Sequence, residues 1–159
     1  MKLKFYKDDD FVNYRKGGLF LGAPTCSWKC CKELGISCSI CQNYEWSKNP
    51  ILDVDNQWLI QRYLDDPLEE CIIFGGLEPM DNFEEILQFI IEFREKTQDE
   101  IIIYTGYYPE EIEEKINKLK QFTNIIVKFG RYIPDRPSRY DEVLGVTLIS
   151  DNQFAKRIS

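Results

Sequence analysis

Residues 71–79 read Cys71-Ile72-Ile73-Phe74-Gly75-Gly76-Leu77-Glu78-Pro79, and this stretch decides the fold. Its first four residues form an apolar run without polar alternation, which is typical of a parallel strand covered on both faces. Two glycines and a proline then mark a turn. We therefore predict a buried strand in the centre of a parallel sheet, with a loop at its carboxyl end.

Further strands and helices are predicted to alternate on both sides of this stretch. Short apolar runs predict strands at 18–22, 101–104 and 124–127 and a less regular last strand at 143–149. Helices are predicted behind an Asp53 or Asp55 cap, from the capping-box pattern Asp81 to Glu84, and from Pro109. This order predicts a single α/β domain over 1–159 with a mostly parallel sheet, whose ligand sites lie at the carboxyl ends of the strands.

Composition excludes several classes of function. The chain has 159 residues, a net charge of -7 and no long basic run, so nucleic acid is not an expected partner. It contains no histidine, which excludes histidine-based acid/base chemistry and catalytic triads. We find no apolar leader and no stretch long enough to span a bilayer, so a cytoplasmic location is expected.

Five of the six cysteines fall between Cys26 and Cys41. In a reducing cytosol such crowding favours a metal site over disulfides. The spacing of the cysteines alone is compatible with two kinds of metal site. Cys26, Cys30, Cys38 and Cys41 would make a four-cysteine zinc site, whereas three cysteines would leave one iron of an iron-sulfur cubane open to a small molecule.

The wider pattern resembles a known family. It consists of Cys26-x3-Cys30, the later Cys41-Gln42-Asn43, the glycine pair of residues 75–79 and the strand-end Thr105-Gly106-Tyr107. The cysteines with Asn43 and the stretch 75–79 are similar to the radical S-adenosylmethionine (SAM) superfamily. More narrowly, with Val12-Asn13 and Thr105-Gly106-Tyr107 included, the chain resembles the short activating proteins of anaerobic ribonucleotide reductase over roughly residues 11 to 157.

This resemblance implies a partial (βα) barrel and a [4Fe-4S] cluster whose ligands are Cys26, Cys30 and Cys41. It implies no catalytic residue beyond the cluster, and SAM bound beside a set of cofactor-binding residues: Asn43, Gly75, Gly76, Leu77, Glu78, Thr105 and Tyr107. The implied activity is reductive cleavage of SAM to a 5'-deoxyadenosyl radical by a radical SAM oxidoreductase. The implied partners are a glycyl-radical subunit of the anaerobic ribonucleotide reductase type and a flavodoxin- or ferredoxin-like reductant.

The cysteine loop, about residues 25–46, departs from the family pattern. The family spacing is Cys-x3-Cys-x2-Cys, but position 33 is Glu33 and ten residues separate Cys30 from Cys41. Cys31 and Cys38 therefore stay open as alternative ligands. A non-catalytic α/β interaction module with a four-cysteine zinc site, and an electron carrier with a four-thiolate cluster, stay open as alternative functions.

Two basic residues near the end of a later strand, Lys128 and Arg131, are expected to be solvated charges. Contact with the carboxylate of SAM or with an acidic partner surface is the alternative for both.

Overall fold

A six-stranded sheet forms the centre of the computed structural model, which describes residues 1–159. The strands are β1 Lys2–Leu3, β2 Phe5–Asp10, β3 Gly18–Ala23, β4 Leu52–Asp53, β5 Cys71–Gly76, β6 Glu100–Tyr104, β7 Ile125–Phe129, β8 Arg139–Asp141, β9 Val146–Leu148 and β10 Phe154–Arg157. The α-helices are α1 Lys29–Leu34, α2 Asn56–Asp65, α3 Phe83–Arg94 and α4 Glu113–Leu119.

The order of strands in the central sheet is β10-β7-β6-β5-β3-β2. Strands β3, β5, β6 and β7 are parallel, and the two edge strands β2 and β10 are antiparallel to their neighbours. The predicted α/β fold with a mostly parallel sheet is confirmed. The two edges do not pair with each other, so the sheet stays open and no closed barrel forms.

Strand β5 is buried on both faces, as its apolar run predicts. Ile72 and Phe74 lie in a core cluster of 22 residues together with side chains of α2, α3 and α4. Cys71 and Ile73 point to the opposite face, into a smaller cluster of nine residues that is closed by Tyr14 and by residues near β8 and β9. The helices therefore cover one face of the sheet, and irregular segments cover the other.

The predicted cap of α2 is confirmed, whereas the capping box before α3 is wrong. The Asp55 side chain accepts a hydrogen bond of 2.9 Å from the backbone N–H of Trp58. Residues 79–82 instead form a 3₁₀ turn that is capped by Glu78, and α3 begins only at Phe83. The reason is that the Glu78 carboxylate accepts from the N–H of Met80 and so caps a turn that begins two residues before Asp81.

Two other predicted elements differ in the structure. Pro109 starts a 3₁₀ turn, Pro109–Glu111, and α4 follows it. The predicted last strand at 143–149 yields only β9, which pairs with β8 outside the central sheet, while β10 completes that sheet. The sequence of β10 carries a weak strand signal because an edge strand exposes much of its length, here Lys156 and Arg157. None of the helices has the length and apolar composition that crossing a membrane requires.

Candidate metal centre

A cavity of about 440 Å³ opens at the carboxyl ends of the parallel strands. Phe20 of β3 and Tyr104 of β6 line it and also pack in the smaller apolar cluster, so the cavity lies on the face opposite the helices. Its volume is within the range of roughly 300–1,000 Å³ that is usual for small-molecule sites. The topology therefore places a ligand-sized space where an open parallel sheet is expected to bind.

Four of the cysteines line this cavity: Cys26, Cys30, Cys31 and Cys41. Cys38 is not among the lining residues, although its thiol is close enough to Cys31 to interact with it. Helix α1 carries Cys30 and Cys31 and begins after Trp28, whose backbone is left-handed (φ 58°) and donates to Cys26 Sγ over 3.3 Å. This bend returns the chain toward Cys26, so that Cys26 and Cys30 face the same space.

No three cysteine sulfur atoms lie all within 4.8 Å of one another in the structure. Only one group of three potential ligand residues in the structure has its ligand atoms all within 4.8 Å of one another, and that group contains no cysteine. Four thiolates at about 2.3 Å from one zinc ion would lie about 3.8 Å apart. A cubane cluster binds each thiolate at a different iron and so accepts wider spacing. The cysteines that line the cavity therefore fit a cluster better than one zinc ion.

Burial keeps these thiols protonated when no metal is bound. It raises the pKa of Cys26 to about 12 and that of Cys30 to about 11, and it also raises the pKa of Cys41. Metal ligands must be thiolates, so loading the site releases protons. The raised pKa values show that these thiols are not activated as free nucleophiles, which need a lowered pKa.

The glycine pair at the end of β5, for which a binding role is predicted, also has a packing reason. A Cβ atom at Gly75 would lie 2.7 Å from the Phe20 ring, and Gly76 has a φ of 78° that favours glycine. The Asn43 side-chain amide donates to the Gly76 carbonyl oxygen. The residue that follows Cys41-Gln42 thus fastens the cysteine loop to the strand end beside the cavity.

Glu78 joins the ends of β5 and β6. Its carboxylate accepts from Thr105 Oγ1 at 2.6 Å, from the Gly106 N–H at 2.9 Å and from the Met80 N–H at 3.0 Å. Burial raises the pKa of Glu78 to about 7, and these hydrogen bonds oppose the rise. Glu78 and Thr105 both line the cavity, but their polar atoms are largely committed to each other and to the backbone.

Six of the seven residues assigned to cofactor binding line the large cavity: Asn43, Gly75, Gly76, Leu77, Glu78 and Thr105. Tyr107 does not line the large cavity, although its backbone N–H donates to Thr105 Oγ1 over 3.1 Å. It lines a small adjoining pocket, and its hydroxyl donates to Asp81 Oδ1 over 2.7 Å. The binding roles of all seven residues stay predictions.

Two polar residues of the cavity wall, Lys128 and Gln153, are buried, which the sequence did not indicate. Both donate to the Gly130 carbonyl oxygen, at 3.0 Å and 3.3 Å. Gln153 Oε1 has no partner, and burial lowers the pKa of Lys128 to about 8. The expectation that Lys128 is a solvated charge is wrong. A lysine inside the otherwise apolar run 125–129 was the available signal.

Arg131 is also buried, and it anchors the cysteine loop instead of lining the large cavity. Its guanidinium binds Glu111 through two hydrogen bonds of 2.6 and 2.9 Å and pairs with Glu33 of α1 at 2.7 Å. Lys29 of α1 contacts Glu111 as well, at 2.5 Å. These ion pairs tie α1 to the segments that follow β6 and β7, so the expectation of a solvated Arg131 is wrong too.

No curated protein and no solved structure matches the chain. A family model described as a 4Fe-4S single cluster domain matches residues 26–150. The match begins at Cys26 and includes the loop cysteines, the glycine pair of β5 and the Arg131 ion pairs. Because this match spans most of the sequence, the chain belongs to the 4Fe-4S single cluster domain family.

Proposed function

We propose that this protein is a radical SAM oxidoreductase that cleaves SAM reductively and generates a glycyl radical on an anaerobic ribonucleotide reductase. One observation carries the proposal: cysteines 26, 30 and 41 and the glycine pair of β5 line the same cavity of about 440 Å³. The family match supports the iron-sulfur part of the proposal, and the motif resemblance supports the SAM part. The open sheet is compatible with a partial barrel.

When bound, a site-differentiated [4Fe-4S] cluster would supply the electron that breaks a carbon–sulfur bond of SAM to give the 5'-deoxyadenosyl radical. The protein's contribution is to bind and orient the cluster and SAM and to exclude water from them. Cys26, Cys30 and Cys41 would hold the cluster. Gly75 and Gly76 leave the backbone accessible to the methionine part of SAM.

The buried polar groups of the wall suit the charged and polar ends of SAM. Lys128 offers N–H donors to a carboxylate, since only one hydrogen bond, to Gly130, engages its ammonium group in the structure. Gln153 Oε1 offers an acceptor without a partner. Both groups are desolvated in the protein alone, so an incoming ligand that pairs with them recovers part of that cost.

A macromolecular substrate is favoured by the exposure of the cavity rim. Val12 and Leu34 line the cavity, yet they are 71% and 37% exposed, so the cavity reaches the protein surface through apolar side chains. We propose a loop of a glycyl-radical subunit as the substrate and a flavodoxin- or ferredoxin-like protein as the electron donor, in the cytoplasm.

The test is anaerobic reconstitution with iron and sulfide, followed by SAM and a reductant. We expect about four irons per chain, a change in the electron paramagnetic resonance spectrum when SAM is added, and release of 5'-deoxyadenosine. Cys30→Ala should abolish the cluster, and Cys71→Ala is the matched control because Cys71 is buried in β5 away from the cavity. A cluster without SAM cleavage would favour the electron carrier, and zinc binding without a cluster would favour the zinc module.

The proposed partner needs its own experiment. The reconstituted protein should produce the doublet spectrum of a glycyl radical when it is mixed with a ribonucleotide reductase subunit of the anaerobic type. If SAM is cleaved but no such subunit is activated, the SAM part of the proposal stands and the partner is wrong.

A further inference from the structure

A second candidate metal site lies at the amino end of β5, on the edge of the sheet opposite the cavity. Asp9 of β2, Asp66 at the end of α2 and Glu69 before β5 have carboxylate oxygens that all lie within 4.8 Å of one another. The three residues come from separate elements, and Asp9 lies where the register of β2 shifts between Lys7 and Asp10. These three acids are the group of potential ligand residues that was mentioned above as containing no cysteine.

Glu69 provides an independent sign of a missing partner. Only 7% of its surface is exposed, and its Oε2 atom is buried without any hydrogen bond. Its Oε1 atom accepts from the Asp9 N–H at 2.9 Å, which holds the carboxylate against the other two acids. A buried carboxylate oxygen without a donor costs free energy unless a proton or a cation satisfies it.

Two neighbouring cations, Arg62 and Lys7, are paired with other acids, although the charge of Arg62 also acts on Asp66. Arg62 binds Asp8, with 2.7 Å between Nε and Oδ1, and Lys7 pairs with Asp10 at 3.5 Å. Burial and the charges of Asp66, Asp8 and Asp9 raise the pKa of Glu69 to about 7. The carboxyl end of α2 adds partial negative charge at Asp66. The charges near the three acids that are not already paired are therefore negative.

We propose that Asp9, Asp66 and Glu69 bind a hard divalent cation, with calcium as the preferred ion. All three ligands are carboxylate oxygens, which calcium, magnesium and manganese prefer over sulfur ligands. Oxygens at about 2.3–2.6 Å from one calcium ion lie at most about 5 Å apart on opposite sides of the ion, so a spread of up to 4.8 Å fits one ion. Water molecules would complete the coordination shell because Asp9 is exposed.

The ion would join three parts of the chain: the bulged edge strand β2, the end of α2 and the loop that enters β5. Its expected role is structural, since the site lies at the opposite end of β5 from the cysteine cavity. Bound calcium should therefore raise the melting temperature without altering the iron-sulfur spectrum.

The experiment is a titration of the chelator-treated protein with calcium chloride, followed by calorimetry and thermal unfolding. Terbium is the second probe, because Trp58 lines a surface cavity together with Asp66 and can sensitise terbium emission. We expect one site per chain with a dissociation constant of about 1 mM or tighter. We also expect a melting temperature that rises with calcium concentration, because the ion binds the folded state.

Glu69→Gln should weaken binding at least about tenfold, because it removes a charged ligand. Glu70→Gln is the matched control, since Glu70 is the adjacent exposed acid. Asp66→Asn provides a second test, at a partly exposed position, if the Glu69 variant does not fold. The proposal is overturned if the wild-type protein shows no saturable binding up to about 10 mM, or if both ligand variants bind calcium as tightly as the control.

Discussion

The ion pairs of Arg131 predict that Glu111→Gln destabilises the protein and loosens the cysteine loop. Arg131 and Lys29 lower the pKa of Glu111 to about 2, against an ordinary value of 4.5. At about 1.36 kcal/mol per pKa unit this difference bounds the stabilisation at about 3.4 kcal/mol. The Glu111 side chain is 19% exposed, and solvent screens the pair, so we take about 2 kcal/mol.

The pH dependence distinguishes this ion pair from ordinary packing. The folded pKa is below the unfolded one, so the stabilisation is complete above about pH 4.5 and is lost as the pH falls toward 2. Glutamine cannot titrate. The difference in unfolding free energy between wild type and Glu111→Gln should therefore shrink by about two fifths between about pH 7 and about pH 3.5.

Urea unfolding of the reduced protein, followed by circular dichroism, measures this difference. A loss of about 2 kcal/mol corresponds to a melting temperature that is lower by about 4–8 °C for a chain of this size. Glu110→Gln is the matched control, because the neighbouring Glu110 is exposed, and it should change stability by less than about 0.5 kcal/mol. A Glu111→Gln penalty that stays constant across this pH range would refute the ion-pair explanation.

Three further predictions concern the site and the core. Cys38→Ala should leave iron and sulfide content unchanged after reconstitution, because Cys38 does not line the cavity, whereas loss of the cluster would make Cys38 a ligand. Gly76→Ala should destabilise the protein by about 1–2 kcal/mol in urea unfolding, because Gly76 has a φ of 78° and an added Cβ would lie 3.3 Å from the Gly22 backbone. A change below about 0.5 kcal/mol would contradict the strain. Phe74→Ala should lower the free energy of unfolding by about 3–5 kcal/mol, since Phe74 is 1% exposed in the large cluster. A smaller loss in calorimetry would mean that the core collapses into the space that the ring leaves.

Sequence reasoning worked best where one pattern had one structural solution. The short run 71–74 has no polar position and is followed by two glycines, which favours a strand covered on both faces, and the structure buries all four residues. The same reasoning failed at Asp81 to Glu84, where Glu78 supplies the cap through a turn that the spacing of polar residues does not reveal. It also missed β10, because an edge strand needs few apolar residues.

The charged residues of the site could not be assigned from sequence for a different reason. Lys128 stands out in the sequence only as a lysine inside the otherwise apolar run 125–129, and nothing in the sequence indicates the partners of Arg131. In the structure Lys128 lines the cavity, whereas Arg131 binds Glu33 and Glu111, which lie far apart in sequence. Whether a charge is solvated or paired depends on partners that only the folded chain brings together.

By itself, the sequence determined that this protein has a parallel α/β sheet and a crowded cysteine loop next to a glycine-rich strand end. Those features depend on local patterns: apolar runs, turn residues and the spacing of cysteines. Only the tertiary structure decided that Cys31 lines the cavity while Cys38 does not, and that Asp9, Asp66 and Glu69 meet at the opposite end of β5. Such relations depend on distances between segments that are remote along the chain, and packing of the whole core sets those distances.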